Sequence, residues 1–491
     1  MKKKIKLFAL IIPIILIIVG MASYLTYYNV IIKPLEEGKK ASPYTTLLNM
    51  GGEVNFEVTI ENGPANEVTI AVNPKNPKNL IAGAKDYTLG PREGLEGFRV
   101  WSGYYWSRDG GKTWGNGLMG YPNVENTVLA NYDEISDPVV AFGSDGTAYY
   151  SGLAYNYESK LVPELPRPKI IDNGIYVAKS TDGGETYNQI SFVIESPSAQ
   201  IFHDKQWFTV DPFDPHNIYV TWTMYAGTQA RIVIARSTNG GQSWEPPRDI
   251  SRSFEGLQQG SGAIPVVAPD GSIYVTWVDY NQGTLMLSVS NDQGITWPVF
   301  AEPILDIEPL PNHIDNNDYR TPTIPSMAVD RSNTDSSGNI YIVWNDYRNG
   351  NSDILLTRSE NGGNTWSEPI ILNDDQNSTA DQFFPWIAVS SGGDIHVIFY
   401  DKRDDPNNYL LDIYYTHSKD GKEFDKNWKI TTNSSDPVHS YHQSGGVFMG
   451  DYIGIDATEN YAYAIWTDTR NDEADAFAAV IVGDAEKIVN H

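Results

Sequence analysis

The sequence predicts an all-β fold, a β-propeller built from four-stranded blades. Three observations lead to this prediction. An eight-residue turn motif recurs along the chain, pairs of strand-like runs precede its copies, and the spacing is that of a propeller blade. The 491 residues include 30 Tyr and 13 Trp, which favour strands, so the composition agrees with an all-β chain.

The turn motif is first seen as "SRDGGKTW" at 107–114. Further copies are "STDGGETY" at 180–187, "STNGGQSW" at 237–244, "SNDQGITW" at 290–297, "SENGGNTW" at 359–366 and the degenerate "SKDGKEFD" at 418–425. Serine and aspartate side chains hydrogen-bond the backbone of tight turns, glycine supplies positive φ, and the aromatic side chain can pack back into the blade. Asn239 and Asn361 replace the acid in two copies, so the motif is interpreted as a folding device rather than a catalytic one.

Seven hairpin patterns accompany the motifs, each an apolar run, a turn and an alternating strand. They lie at 68–87, 138–155, 208–225, 265–281, 326–349, 386–405 and 452–471. The repeat is therefore strand a, turn, strand b, loop, strand c, motif and strand d, over about 55 to 70 residues. Seven hairpins favour seven blades, with six as the alternative.

The last repeat contains a strand c in "AFAAVIV" at 476–482 but no strand d. Residues 54–60 alternate apolar and polar side chains, precede the first repeat and belong to none. We therefore predict that this N-terminal strand completes the seventh blade and closes the ring, which removes exposed sheet edges. The propeller is predicted to span 54–483.

The N-terminal residues 1–32 are predicted to be a transmembrane signal anchor. Four lysines among the first six residues precede an uncharged run at 7–22, and apolar character continues to residue 32. Residues 33–53 form a polar linker. By the positive-inside rule, the protein is a single-pass protein of the cell membrane with the propeller outside the cell. The alternative is a signal peptide cleaved near Gly20-Met21-Ala22, which would give a secreted protein.

The formal net charge of −27 repels nucleic acid, so no nucleic-acid partner is expected. The chain has no cysteine, which excludes disulfides, thiolate metal sites and a cysteine nucleophile. No metal ligand set with fixed spacing is found and no cofactor is predicted, although clustered carboxylates could hold Ca²⁺.

The repeated S-x-D-x-G-x-T-W pattern resembles the Asp-box, or BNR repeat, of the sialidase (neuraminidase) superfamily, over about residues 54–482. The resemblance implies an arginine triad that holds a substrate carboxylate, a Tyr–Glu nucleophile pair and an Asp acid. This chain lacks the Phe-Arg-x-Pro signature of the first arginine. "YRTP" at 319–322, which contains Arg320, is the nearest string. Six blades are usual in sialidases, so a count of seven departs from the pattern.

Two functions follow as hypotheses. The first is a membrane-anchored, sialidase-like glycoside hydrolase that acts on acidic cell-surface glycans. The second is a non-catalytic propeller that binds glycans or cell-envelope proteins. Whether the protein is an enzyme stays open at this point.

The candidate site lies on the propeller face opposite the motifs, where the long insertions emerge. Strand b ends in Asp-x-Arg in three successive blades, at Asp346/Arg348, Asp401/Arg403 and Asp468/Arg470. Arginine binds a carboxylate through two hydrogen bonds, so the three arginines could clamp an acidic substrate. The alternative is that each pair braces its own loop. Asp86 and Asp279 hold the same place without arginine, which favours a structural Asp.

Charged residues at the entries to strand a are expected to line the propeller axis. Asp204 and Arg320 join the three arginines as candidate catalytic residues, and the candidate substrate-binding residues are Asp137, His203, Asp381 and Asp451. The entries are taken to be loops. Several tyrosines lie at similar places and could serve as a nucleophile or stack on a sugar; they are Tyr280, Tyr319, Tyr347, Tyr441 and Tyr452.

Overall fold

The computed structural model describes residues 55–59, 63–90, 98–121, 123–157, 170–251, 259–311, 314, 317, 319–375, 379–443 and 446–482. The predicted anchor at 1–32 and the linker at 33–53 lie outside these residues. Within the described residues, no helix has the length and apolar character needed to cross a membrane.

Seven four-stranded antiparallel sheets follow one another along the chain, which confirms the seven-bladed propeller and removes the six-bladed alternative. Blade 1 comprises β2 Ala65–Val72, β3 Leu80–Asp86, β4 Trp101–Ser107 and β5 Gly115–Leu118. Blade 2 comprises β6 Glu134–Phe142, β7 Ala148–Tyr157, β8 Ile170–Ser180 and β9 Gln189–Ser196. Blade 3 comprises β10 Ile201–Val210, β11 Ile218–Ala226, β12 Gln229–Ser237 and β13 Arg248–Asp249.

Blade 4 comprises β14 Gly260–Val267, β15 Ile273–Asp279, β16 Thr284–Ser290 and β17 Val299–Asp306. Blade 5 comprises β18 Ser326–Val329, β19 Ile340–Asp346, β20 Asp353–Ser359 and β21 Ile370–Ile371. Blade 6 comprises β22 Gln382–Val389, β23 Ile395–Asp401, β24 Asp412–Ser418 and β25 Trp428–Lys429. Blade 7 contains β28 Gly454–Ala457, β29 Tyr461–Asp468 and β30 Asp475–Val482, with β1 Asn55–Glu57 as its fourth strand. Outside the blades, the described residues form the hairpin β26 Tyr441–Gln443 and β27 Gly446–Phe448 and three short 3₁₀ helices, Val124–Asn126, Val128–Asn131 and Pro437–His439.

The ring closes through the N-terminal strand, as the sequence predicts. β1 pairs antiparallel with β30, with Asn55 opposite Ala479 and Glu57 opposite Phe477. The pairing continues past β1, because Val58 N donates to Ala476 O at 2.8 Å. The first described strand and the last one therefore belong to the same blade, and closure joins the two ends of the fold.

Each motif forms the turn between strands c and d. In the first copy, Ser107 Oγ accepts from Gly111 N at 2.8 Å, and Asp109 Oδ1 accepts from Thr113 N at 3.0 Å. Gly111 has φ +87°, and a Cβ there would lie 3.0 Å from the Leu80 side chain, so this position requires glycine. The predicted turn chemistry is confirmed, and the motif contributes to folding on the side away from the candidate site.

The cores lie between neighbouring blades and are built from strands a, b and c. Tryptophans at equivalent places in four blades are almost completely buried, namely Trp222, Trp277, Trp344 and Trp466. Packing of these rings between adjacent sheets supplies much of the apolar burial that holds the blades in register. The motif tryptophans are less uniform: Trp114 is buried, whereas Trp244 is only partly buried.

Candidate functional site

A β-bulge in strand a positions the charged residues of the site. In five blades, two residues of strand a oppose one residue of strand b at the same place, between the flanking pairs Asn66/Thr69, Ser136/Val139, Asp204/Trp207, Ser261/Ile264 and Phe383/Trp386. The first bulged residue has positive φ in every case. In blades 1 to 3 this residue is charged, with Glu67 at φ 51°, Asp137 at 55° and Lys205 at 52°. Non-glycine residues rarely adopt this conformation, and such strain is typical of functional positions.

The bulged residues of blades 1 to 3 belong to a group of ion pairs at the propeller axis, here called the axial cluster. Its members are Glu67, Lys85, Asp137, Lys205, Arg320 and Asp451. Lys85 Nζ lies 2.9 Å from Glu67 Oε2 and 3.1 Å from Asp137 Oδ1. Lys205 Nζ lies 3.3 Å from Glu67 Oε1 and also contacts Asp451. Three cations thus alternate with three carboxylates, contributed by blades 1, 2, 3 and 7 and, through Arg320, by the segment that precedes blade 5.

Burial and neighbouring charge shift the pKa values of the carboxyl groups in the cluster in opposite directions. Burial raises the pKa of Glu67 to about 7, with a further contribution from the Asp137 carboxylate. For Asp137 and Asp451, burial opposes ionisation, but the neighbouring lysines, and Arg320 beside Asp451, hold the pKa of each well below its usual range. Asp137 and Asp451 are therefore fixed anions, and Glu67 is the member of the cluster that can change charge near neutral pH.

Arg320 lies at the open side of the axial cluster. Its side chain is 51% exposed, whereas its partner Asp451 is 1% exposed. Its guanidinium also lies 4.9 Å from the ring centre of Phe448, at the end of the β26–β27 hairpin. The same ring lies 5.1 Å from Lys85 Nζ. The hairpin therefore packs on the cluster from one side while Arg320 faces solvent.

Asp204 adjoins the cluster and is partly exposed. Burial of its carboxyl raises the pKa of Asp204 to about 6, and repulsion from Asp137 adds to the rise. Burial also raises the pKa of the Tyr225 hydroxyl, and the Asp204 charge contributes. Tyr225 and Asp204 therefore lie within electrostatic range of each other at the edge of the axis, beside Lys205 and Arg320.

The structure brings together four of the residues predicted at the axis: Asp137, Asp204, Arg320 and Asp451. Their backbone setting differs from the prediction, because Asp137 and Asp204 lie within β6 and β10 and not on loops. Strand a continues beyond its bulge, and the bulge interrupts the alternation by which a strand is recognised in sequence.

His203 and Asp381 have other surroundings. His203 is buried and accepts a hydrogen bond at Nδ1 from Trp222 Nε1 at 2.9 Å, and burial lowers the pKa of His203 to about 4. It is a neutral core residue at physiological pH. Asp381 accepts from Ser352 N at 2.9 Å and from Asn408 Nδ2 at 2.6 Å, so its contacts join blades 5 and 6.

The three Asp-x-Arg pairs form within their own blades. Arg348 donates to Asp346 through Nε at 2.7 Å and Nη2 at 2.7 Å. Arg403 and Arg470 each contact the aspartate two residues before in the same way. Each guanidinium is thereby held at its own strand end. These contacts match the bracing alternative, and the predicted clamp of Arg348, Arg403 and Arg470 is not formed.

Sequence reasoning missed Glu67 and Lys85. A signal for Glu67 was present, since aligning strand a of the first three repeats places it with Asp137 and Lys205. Lys85 stands opposite Asn66, next to the bulge, and is found only once strand register is known.

Among the described residues, no group of three or more His, Asp or Glu side chains is arranged to hold a metal ion.

The predicted tyrosines fall into two groups. Tyr319, Tyr441 and Tyr452 are buried, and Tyr441 stacks on Tyr87 with ring centres 3.9 Å apart. Tyr280 and Tyr347 are partly exposed at the ends of strand b. Tyr280 donates to Thr323 O at 2.6 Å, on the side of the axis where Arg320 lies.

The chain matches no known family model and no curated protein sequence. Solved structures that it matches include a protein of unknown function from Dyadobacter fermentans DSM 18053, at 13% identity over 71% of this chain and 93% of the other, with a TM-score of 0.47. The Hadza microbial sialidase Hz136 matches at 15% identity over 82% of this chain and 73% of the other, with a TM-score of 0.45. The GH93 alpha-L-arabinofuranosidase of Fusarium graminearum matches at 12% identity over 58% of this chain and 93% of the other, with a TM-score of 0.37. Similarity of this degree assigns neither a family nor an activity.

Proposed function

We propose that this protein is a surface-tethered propeller that binds glycans through its axial face. The observation that carries the proposal is the exposed Arg320 above a buried group of ion pairs. Asp451 fixes the guanidinium through Nε at 2.8 Å and Nη2 at 2.6 Å. Within the described part of the chain, Nη1 makes no hydrogen bond, so it can donate to a sugar hydroxyl or carboxylate without first losing a partner.

Aromatic side chains around Arg320 suit a carbohydrate ligand. Phe202 and Tyr225 stack with ring centres 6.4 Å apart, and both are partly exposed, as is Tyr280. Sugar rings present apolar C–H faces to aromatic rings and hydroxyls to polar groups. A face that combines partly exposed rings with a fixed cation offers both kinds of contact.

Binding without cleavage is the favoured form of this proposal. The sialidase resemblance implies three arginines on one carboxylate, and Arg348, Arg403 and Arg470 are each engaged by an aspartate of their own blade. Arg320 alone neutralises less charge than a triad, which favours a ligand held by hydroxyls and stacking over a tightly clamped acid.

Glycoside hydrolysis is the second candidate, and Asp204 is the observation in its favour. Asp204 is a partly exposed residue near Tyr225, and burial raises the pKa of its carboxyl to about 6, which is suited to a general acid. In this case Asp204 would protonate the leaving-group oxygen of a sialoside or related acidic glycan.

The test is a glycan-array screen of the full chain in detergent, together with turnover of a fluorogenic sialoside. The proposal expects glycan binding that Arg320→Ala abolishes. Arg348→Ala is the matched control, since it removes another partly exposed arginine outside the axis and should leave binding intact. Array binding that survives Arg320→Ala would contradict the proposal. Turnover that is lost in Asp204→Asn would select the hydrolase instead.

Tethering by residues 1–32 completes the proposal, with the propeller outside the cell. The basic start and the long apolar run are its support. Protease treatment of intact cells after membrane fractionation tests it, because an anchored propeller stays with the membrane and is digested from outside. A soluble product that begins near Ser23 would show that the segment is cleaved.

A further inference from the structure

Arg320 lies on a connection between blade 4 and blade 5, outside the sheets. The described part of this connection around the arginine comprises Asn317 and residues 319–323, here called the Arg320 segment. Its neighbours Tyr319 and Thr321 are each 1% exposed, whereas the Arg320 side chain is 51% exposed. A segment outside the sheets lacks the regular hydrogen bonds of a strand, so side-chain contacts from its neighbours decide where the arginine lies.

Two blades contact the Arg320 segment through residues at equivalent positions. Strand b ends in aspartate in five blades and is followed at the axial face by Tyr87, Tyr280, Tyr347, Lys402 or Thr469. In blade 4, the Tyr280 hydroxyl donates to Thr323 O at 2.6 Å. In blade 6, Lys402 Nζ donates to Asn317 Oδ1. The segment is therefore held from the blade on each side of blade 5.

Lys402 is the exception among the five equivalent residues, because its side chain is charged and completely buried. Its exposed fraction is 0%, and the Asp381 carboxylate lies 4.0 Å from Nζ. The rings of Tyr319 and Phe383 have their centres 5.8 and 5.9 Å from Nζ, which is the range of a cation–π contact. One amide oxygen, one carboxylate at the limit of ion pairing and two aromatic rings thus enclose the ammonium group.

Keeping a charge in this place is costly, and the cost indicates a role beyond packing. Burial lowers the pKa of Lys402 to about 8, although the Asp381 and Asp405 carboxylates favour the charged form. Lys402 therefore remains an ammonium ion at neutral pH, but its contacts only partly replace the lost hydration. Side chains with a pKa perturbed in this way concentrate at functional sites, and this one contacts the segment that carries Arg320.

We infer that Lys402 and Tyr280 are positioning residues for Arg320 and clamp the Arg320 segment from both sides. Lys402 holds the segment at Asn317, which precedes the arginine by three residues. Tyr280 holds it at Thr323, which follows the arginine by three residues. The Tyr280 hydroxyl is thereby committed to the backbone, while its ring stays partly exposed. The inference rests on the proposed function, because it concerns the arginine that is proposed to bind the glycan.

Trypsin cleavage of the bond after Arg320 gives a local readout that needs no ligand. Cleavage there requires the Arg320 segment to open, so its rate follows the population of the open form. The full chain in detergent is digested briefly, and mass spectrometry follows the new N-terminus at Thr321. We expect cleavage about tenfold faster in Lys402→Met, which loses a charged hydrogen bond, and about fivefold faster in Tyr280→Phe, which loses a neutral one.

Two controls separate local loosening from general destabilisation. Cleavage after Lys75, in an exposed turn on the motif side, should keep its rate in both variants. Thr469→Val removes a hydrogen bond to Asp436 O at the equivalent position of blade 7 and should leave cleavage after Arg320 unchanged. Unchanged cleavage after Arg320 in both clamp variants, or equal acceleration at both bonds, would overturn the inference. If Lys402→Met does not fold, Tyr280→Phe decides the test.

Glycan binding supplies the second readout. Lys402→Met should weaken array binding about threefold or more, because binding falls with the fraction of molecules in which the arginine is in place. Thr469→Val should bind as the wild type does. Full binding by Lys402→Met despite faster cleavage after Arg320 would overturn the positioning role. Faster cleavage in a chain that binds no glycan would contradict the proposed function and leave the clamp supported, so the two failures are distinguishable.

Discussion

Asp451 accepts both hydrogen bonds of the Arg320 guanidinium fork and also contacts the Lys205 ammonium group. One buried carboxylate thereby joins three distant parts of the chain, the start of blade 7, the bulge of blade 3 and the segment that precedes blade 5. The axial cluster therefore stabilises the closed ring as well as fixing Arg320 for a ligand.

Replacing Asp451 by Asn should destabilise the protein strongly. The change leaves Lys205 without its closest carboxylate in a buried setting, and breaking one partner of a buried ion pair costs about 3 to 5 kcal/mol. Denaturant unfolding monitored by tryptophan fluorescence measures this. Asp472→Asn is the control, because the Asp472 side chain is 89% exposed and its pairing with His439 lies at the surface. A similar, small effect of both changes would mean that the cluster contributes little to stability.

Glu67 should make stability fall as pH rises towards neutrality. Burial raises the pKa of Glu67 from an ordinary value of 4.5 to about 7, so between these values the folded state binds a proton that the unfolded state has released. The folded state therefore loses stability across this window, by roughly 3 kcal/mol for a shift of this size, and the loss is complete above pH 7.

The measurement is the free energy of unfolding at about pH 5 and about pH 8 for the wild type and for Glu67→Gln. Glutamine cannot ionise, so the wild type should lose more stability than the variant between the two conditions. Parallel changes in the two proteins would show that Glu67 does not titrate there. His203 and His396 make stability rise with pH in both proteins, because burial lowers the pKa of His203 to about 4 and that of His396 to about 3. Their contribution therefore cancels in the comparison.

The fold could be predicted from the sequence because the blade is a local unit. Turn residues at fixed offsets marked the boundary between strands c and d. The last repeat lacks a strand d, and residues 54–60 alternate with period two, so together they predicted the closure by β1. These signals lie within one repeat or compare two ends of the chain, so they need no knowledge of side-chain direction.

The site was only partly predictable, because it depends on a bulge and on rotamers. Glu67 and Asp137 reach the axis since a bulge with positive φ turns them there, and a sequence gives that conformation no marker when the residue is not glycine. The Asp-x-Arg pattern is compatible with an Arg348 side chain that reaches the axis and with one that folds back onto its own strand end. Asp346 decides between them locally, because its carboxylate also accepts from Arg348 N at 3.0 Å and so holds the arginine's own turn.

Arg470 should matter more for stability than Arg348. Both pair with the aspartate two residues before. Arg348 makes one further bond, to Asp306 O at 3.0 Å, whereas Arg470 makes two, to Asn55 Oδ1 at 3.0 Å on the closing strand and to Thr432 Oγ1 at 2.7 Å. Its side chain is 11% exposed, against 37% for Arg348. Arg470→Ala should therefore weaken ring closure. Limited proteolysis near the N-terminal strand, compared between Arg470→Ala and Arg348→Ala, checks this, and equal cleavage rates would contradict it.

The two motif tryptophans Trp114 and Trp244 should differ in their effect on stability although they hold the same place in the motif. Trp114 is 8% exposed and packs between blades 7 and 1, so Trp114→Ala should cost about 3 to 5 kcal/mol. Trp244 is only partly buried, so the same change there should cost clearly less. Denaturant midpoints of the two variants make the comparison, and glycan binding by the folded fraction supplies the second readout. Both residues lie on the side of the turn motifs, away from Arg320, so neither change should alter binding at the axis. Loss of binding in a variant that remains folded would mean that the binding face is the motif face.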